Sequence, residues 1–150
     1  MGQQQLLLVI LVTIIVGIAT VVAVNTFGAA ADSANIDAVR QDLATFASSA
    51  QGYFMKPEML GGGGGDFEGI TFQNVAFPAD QYSSDNLTVM NANGVYTFSA
   101  PAATDTIITI TAHPASRIDG PVNLTATATL GDGTLQAEIS PGGLTWIDNQ

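Results

Sequence analysis

Leu6–Val24 reads LLLVILVTIIVGIATVVAV, nineteen residues without a charge, interrupted only by Thr13, Gly17 and Thr20. As a helix the stretch measures about 28 Å, close to the hydrocarbon thickness of a bilayer. Leaving it in water costs roughly 1.5–3 kcal/mol for each large side chain. That total far exceeds the ~5–15 kcal/mol that stabilises a whole domain. The segment therefore needs lipid or copies of itself. Twelve of the nineteen residues are β-branched, a poor choice for a helix in water but harmless where the backbone has no solvent to turn to.

On its N-terminal side, Met1–Gln5 carries no Lys or Arg, and the apolar run is longer than the usual signal-peptide core. Ala29-Ala30-Ala31 before Asp32 has the small residues of a cleavage site, but the expectation is that the segment is retained. On its C-terminal side the pattern changes without a strong break. Ile36, Val39, Leu43, Phe46, Ala50 and Tyr53 step by three and four and form one apolar stripe. Asp32, Asp37, Arg40, Gln41 and Asp42 fall mostly off it. Lys56 is expected in the last turn, where a cation suits the helix dipole, and Pro57 ends the run. One helix is thus predicted from about residue 3 to residue 56, roughly 80 Å long. Its part up to residue 31 is apolar all round and must be wrapped by partners. Its part from 32 to 56 needs only a cover, and Gly17 and Asn25–Gly28 are its weak points.

Residues 57–66 read as a flexible connector around the five glycines Gly61–Gly65, which no Gly-Lys-Ser/Thr follows as a phosphate loop would require. Residues 67–150 read as a β-rich head. Gly69–Val75, Leu87–Asn91, Val95–Ser99, Thr106–Ala112, Val122–Leu130 and Thr134–Ile139 are the expected strands. Asn93-Gly94 and Asp132-Gly133 mark the expected hairpins. Val122–Leu130 alternates apolar and polar residues, which describes an antiparallel sheet covered on one face. The helix stripe is the natural cover, so the fold class is α+β, a long N-terminal helix packed on a small antiparallel sheet.

Composition narrows the function. Three Lys/Arg against thirteen Asp/Glu give a formal net charge of −10, so no basic patch can form, which argues against nucleic-acid binding by direct basic contacts. The absence of cysteine excludes disulfides, cysteine zinc sites and thiol catalysis. His113 is the single histidine and is expected at the surface or in a turn; with no Gly-x-Ser-x-Gly elbow, no catalytic triad assembles. No enzymatic role, cofactor or metal is expected. Loop carboxylates such as Asp85 and Asp132 leave calcium as an open alternative, although nothing matches a twelve-residue calcium loop. Asn86-Leu87-Thr88 and Asn123-Leu124-Thr125 make Asn86 and Asn123 candidate glycosylation positions, in a triplet that chance also produces often.

A short polar N-terminus, an apolar helix, an amphipathic continuation and a β-rich head together resemble the type IV pilin architecture. The segment DAVRQDLATFASSAQG (Asp37–Gly52), followed by Phe54-Met55-Lys56-Pro57 and the glycine run, is similar to bacterial pilin-like proteins. The similarity covers roughly residues 1–65; beyond them it is one of architecture. It implies a subunit of an extracellular fimbrial filament, of the kind used in cell adhesion, inserted in the inner membrane before the pilus machinery assembles it into a homopolymer. Gln5, preceded by Gln3 and Gln4, stands where the family typically carries a glutamate whose implied role is to pair with a neighbour's N-terminal amine. The residues expected to assemble subunits are Gln3, Gln4, Gln5, Leu6, Leu7, Leu8, Thr13, Gly17, Ala19, Thr20, Ala23 and Gly28. The small ones among them allow close helix approach. A membrane-anchored β-domain acting as a binding module, and a pseudopilin of a secretion system, are the alternative readings.

Overall fold

The computed structural model describes residues 2–118, Gly120, Leu124 and residues 135–147. One helix, α1 (Gly2–Met55), continues unbroken through Gly17 and Asn25–Gly28. Six strands follow: β1 (Gln81–Tyr82), β2 (Thr88–Met90), β3 (Gly94–Phe98), β4 (Ile108–Pro114), β5 (Leu135–Ser140) and β6 (Gly143–Trp146). They form one antiparallel sheet in chain order, β1-β2-β3-β4-β5-β6. The architecture is α+β, as the stripe and the alternating strands imply. The chain divides into two compact units after Ala34, and residues 35–56 belong with the head.

Within the second unit, α1 covers one face of the sheet. Val39, Leu43, Phe46 and Ala50 are fully buried, Tyr53 nearly so, and Ile36 packs partly buried beside them. Facing them are Tyr96 and Phe98 of β3, Ile108, Ile110 and Ala112 of β4, and Leu135, Ala137 and Ile139 of β5. The registers Phe98↔Ile110↔Ala137 and Tyr96↔Ala112↔Leu135 set these side chains in rows across the sheet. The intervening Thr109, Thr111, Gln136 and Glu138 stay exposed or half-buried. Phe46 is the hub, with its ring centroid 5.0 Å from Phe72, 5.6 Å from Phe98 and 5.9 Å from Phe77.

Several expectations need correction. Gly69–Val75 is a series of turns rather than a strand. Gly69 has a φ of 71°, and Asn74 donates its N–H to Thr71 O, so the segment folds back on itself while Ile70, Phe72 and Val75 all reach the core. The helix ends at Met55, leaving Lys56 one residue beyond the last turn. His113 lies within β4, half-buried opposite Val95, rather than in a turn. Strand Val122–Leu130 and turn Asp132-Gly133 lie outside the described residues.

The glycine run is an ordered cap. The last four carbonyls of a helix have no partner of their own. Gly63 donates its N–H to Tyr53 O at 2.9 Å, Gly65 to Phe54 O at 3.0 Å and Gly64 to Lys56 O at 2.9 Å. Gly61 and Gly62 donate to Glu58 O and Pro57 O at 2.8 and 3.2 Å. A Cβ on Gly62 would sit 2.2 Å from Lys56 O, and one on Gly63 would sit 1.9 Å from Asp66 O. Only glycine lets the chain approach so closely, so the composition that suggests slack here serves contact.

Candidate functional site

From Gly2 to Ala31 every described residue of α1 is exposed. Fifteen large apolar side chains between Leu6 and Phe27 are 49–74% exposed, with no sheltered face among them. This helix is long and apolar enough to cross a membrane. Its hydroxyls do not interrupt the surface. Thr13 Oγ1 donates to Val9 O at 2.8 Å, Thr20 Oγ1 to Val16 O at 2.8 Å and Thr26 Oγ1 to Val22 O at 2.9 Å. Each hydroxyl hydrogen is held by the helix's own backbone, which is what a surface facing lipid or another apolar helix requires. Between Leu6 and Ala31 Asn25 is the exception: among the described residues no hydrogen bond engages its carboxamide, as none engages those of Gln3, Gln4 and Gln5 at the start of the helix.

The residues expected to assemble subunits are all on this exposed surface. Leu6, Leu7 and Leu8 are 63–68% exposed. A Cβ added at Gly17 or Gly28 would meet nothing within 4 Å, so both leave room for an approaching helix. Thr13, Ala19, Thr20 and Ala23 are likewise open to approach. Gln3, Gln4 and Gln5 open the helix, whose first turn holds no acidic side chain. The six stripe residues, by contrast, all turn to the core of the head.

Sequence reasoning missed a row of polar residues beside the stripe. Asn35, Asp42 and Ser49 recur every seven residues along α1. Asp42 Oδ2 accepts from Tyr96 OH at 2.6 Å, Asn93 Nδ2 at 2.8 Å and Asn91 Nδ2 at 2.9 Å. Burial and the neighbouring Asp42 carboxylate hold the Tyr96 hydroxyl protonated far above the ordinary tyrosine range. Asn35 Nδ2 donates to Asn93 O at 2.9 Å, Asn35 Oδ1 accepts from Ser116 N at 3.1 Å, and Ser49 Oγ donates to Ala76 O at 3.3 Å. The Asn91–Gly94 turn is thereby riveted to the helix. The seven-residue spacing was the available signal, but the partners lie 27 to 81 residues away in sequence.

Elsewhere the head offers little for chemistry. Burial lowers the His113 pKa below its ordinary 6.5. Among the described residues, no group of three or more His, Asp or Glu could hold a metal ion. Asn86 is half-buried in a tight turn at a φ of 58°, its N–H donated to Ser83 O. Asn123 lies outside the described residues. Comparison with protein-family models, curated proteins and solved structures finds no match to this chain.

Proposed function

We propose that the chain is the structural subunit of a type IV pilus-like filament, polymerising through residues 2–31 of α1 while the head faces the medium. The observation that carries this reading is the division of labour within one helix. The stripe from Ile36 to Tyr53 is covered by the chain's own head, whereas the apolar surface from Leu6 to Phe27 is exposed among the described residues. Helices of this kind associate through close packing where small residues allow it, which Thr13, Gly17, Ala19 and Ala23 do. Before assembly the same helix is held in a membrane, and the pilus machinery draws it into the polymer. A contact that repeats from one copy to the next without closing generates an open helical array.

Shearing cells that make the chain, then sedimenting and imaging the released material, tests the proposal. Long fibres built of the intact chain are expected. Recovery of the chain only from the membrane fraction, as detergent-soluble monomers, would establish the anchored β-domain instead. Short assemblies confined to a secretion machine would establish the pseudopilin reading.

A further inference from the structure

We propose that Asn25 sets the axial register between copies of this chain, its carboxamide hydrogen-bonding across the contact between neighbouring α1 helices. The inference rests on the filament reading and adds the residue that fixes how far one helix slides along the next.

The length of the uncharged surface points to a second copy. Leu6–Val24 already matches bilayer hydrocarbon at about 28 Å. The uncharged surface nevertheless runs on through Asn25–Ala31, with Phe27 74% exposed. Lipid covers the first stretch and leaves the second past its edge. On the filament reading Phe27 and its neighbours are covered by another copy of this chain.

Within the stretch from Leu6 to Ala31 the polar groups point to Asn25 in particular. Thr13, Thr20 and Thr26 close their hydroxyls on their own backbone. A carboxamide has two N–H donors and a carbonyl acceptor, and none of these is engaged at Asn25 among the described residues. At the membrane edge, water and headgroups satisfy it. Inside a dry helix contact an unmet amide is penalised, so only alignments that give it a partner persist. Backbone carbonyls in a neighbouring helix keep a second lone pair, and Thr hydroxyls that donate to their own backbone keep both of theirs. Gly28 and Ala29 lie three and four positions on, over the same face as Asn25. A Cβ at Gly28 would meet nothing within 4 Å, so this chain leaves the approach to the amide open. Apolar packing alone distinguishes poorly between alignments one turn apart, and a single amide in an apolar seam breaks that degeneracy.

The test compares fibres of the full chain with those of Asn25→Leu and Asn25→Gln, using helical diffraction from electron micrographs. Asn25→Leu keeps the apolar surface, so its expected fibres show several subunit rises or a diffuse pattern where the parent shows one sharp set of layer lines. Asn25→Gln keeps the carboxamide and retains a single rise. If Asn25→Leu forms no fibres while Asn25→Gln does, the amide is required more strongly and the proposal stands. Asn25→Leu fibres with the parent's single sharp rise overturn it. So does failure of both variants, which would mark the position as a matter of shape. Absence of fibres from the parent chain defeats the filament reading itself, an outcome distinct from either.

Discussion

Between Leu6 and Phe27 the large apolar side chains of α1 are exposed, whereas between Val39 and Tyr53 those on the stripe are buried, though both stretches belong to one helix. Their polar groups differ in the same way. Thr13, Thr20 and Thr26 bond to their own helix, while Asn35, Asp42 and Ser49 reach out to other elements of the head. A helix with a partner in its own chain thus places polar groups at the border of a stripe and uses them as rivets. The exposed half keeps its threonine hydroxyls occupied by its own backbone and leaves the Asn25 carboxamide as the polar group unengaged between Leu6 and Ala31 among the described residues. The first arrangement fixes the helix to its sheet; the second leaves an apolar surface exposed.

The sharpest way to break this contrast is to obstruct the outward-facing half. Gly17→Leu or Ala23→Phe is expected to abolish fibres while the head keeps its circular dichroism spectrum. Normal fibres from both variants would show that close helix approach is not required. Next in size, Phe46→Ala removes the hub of the aromatic cluster and is expected to cost about 3–5 kcal/mol of head stability. A chain beginning near Asp32 lets this be measured by thermal melting in water. An unchanged melting temperature would mean that the stripe does not hold the sheet.

Asp42→Ala addresses the rivets and should cost about 1.5–3 kcal/mol, the usual range for hydrogen bonds to a charged group. Combined with Tyr96→Phe in a double-mutant cycle, the losses should be less than additive, because both changes remove the same bond. Strict additivity would show that the 2.6 Å contact contributes nothing. The smallest effect concerns His113. Its folded-state pKa lies below the ordinary 6.5, so as pH falls below that value the unfolded chain takes up a proton that the folded chain resists. Its contribution is intact above 6.5 and is lost as pH drops toward and through the folded value. Urea midpoints from about pH 7.5 to about pH 5 should decline more steeply for the parent than for His113→Gln. Parallel declines would place the titration elsewhere.

The helix and the central strands were legible because local pattern decided them. The three-four spacing from Ile36 to Tyr53 has one reading, and Asn93-Gly94 between two β-rich runs gives the β2–β3 hairpin. What escaped depends on distant partners. β1 has only two residues and exists because Tyr82 pairs with Val89. β6 opens on glycine after Pro141-Gly142 and pairs with β5. Asp42 looks like any solvent-facing acid until the Asn91–Gly94 turn folds against it. For the candidate site, the apolar run of α1 was plain from composition, but the state of each polar group within it required the hydrogen bonds.

The glycine run carries a consequence for insertions and deletions. A slack linker absorbs an extra residue at little expense, since loop-closure entropy rises slowly with length. Gly61–Gly65 is a gauge rather than a slack, because each of five consecutive amides meets a carbonyl between Tyr53 and Glu58, at the helix end or just past it. One glycine added or lost would displace every donor past its acceptor and shift the point where the chain re-enters the head at Phe67, whose N–H is held by Asp105 O at 2.8 Å. In a tract where five identical residues invite miscounting, the number of glycines is therefore as much a part of the structure as their identity.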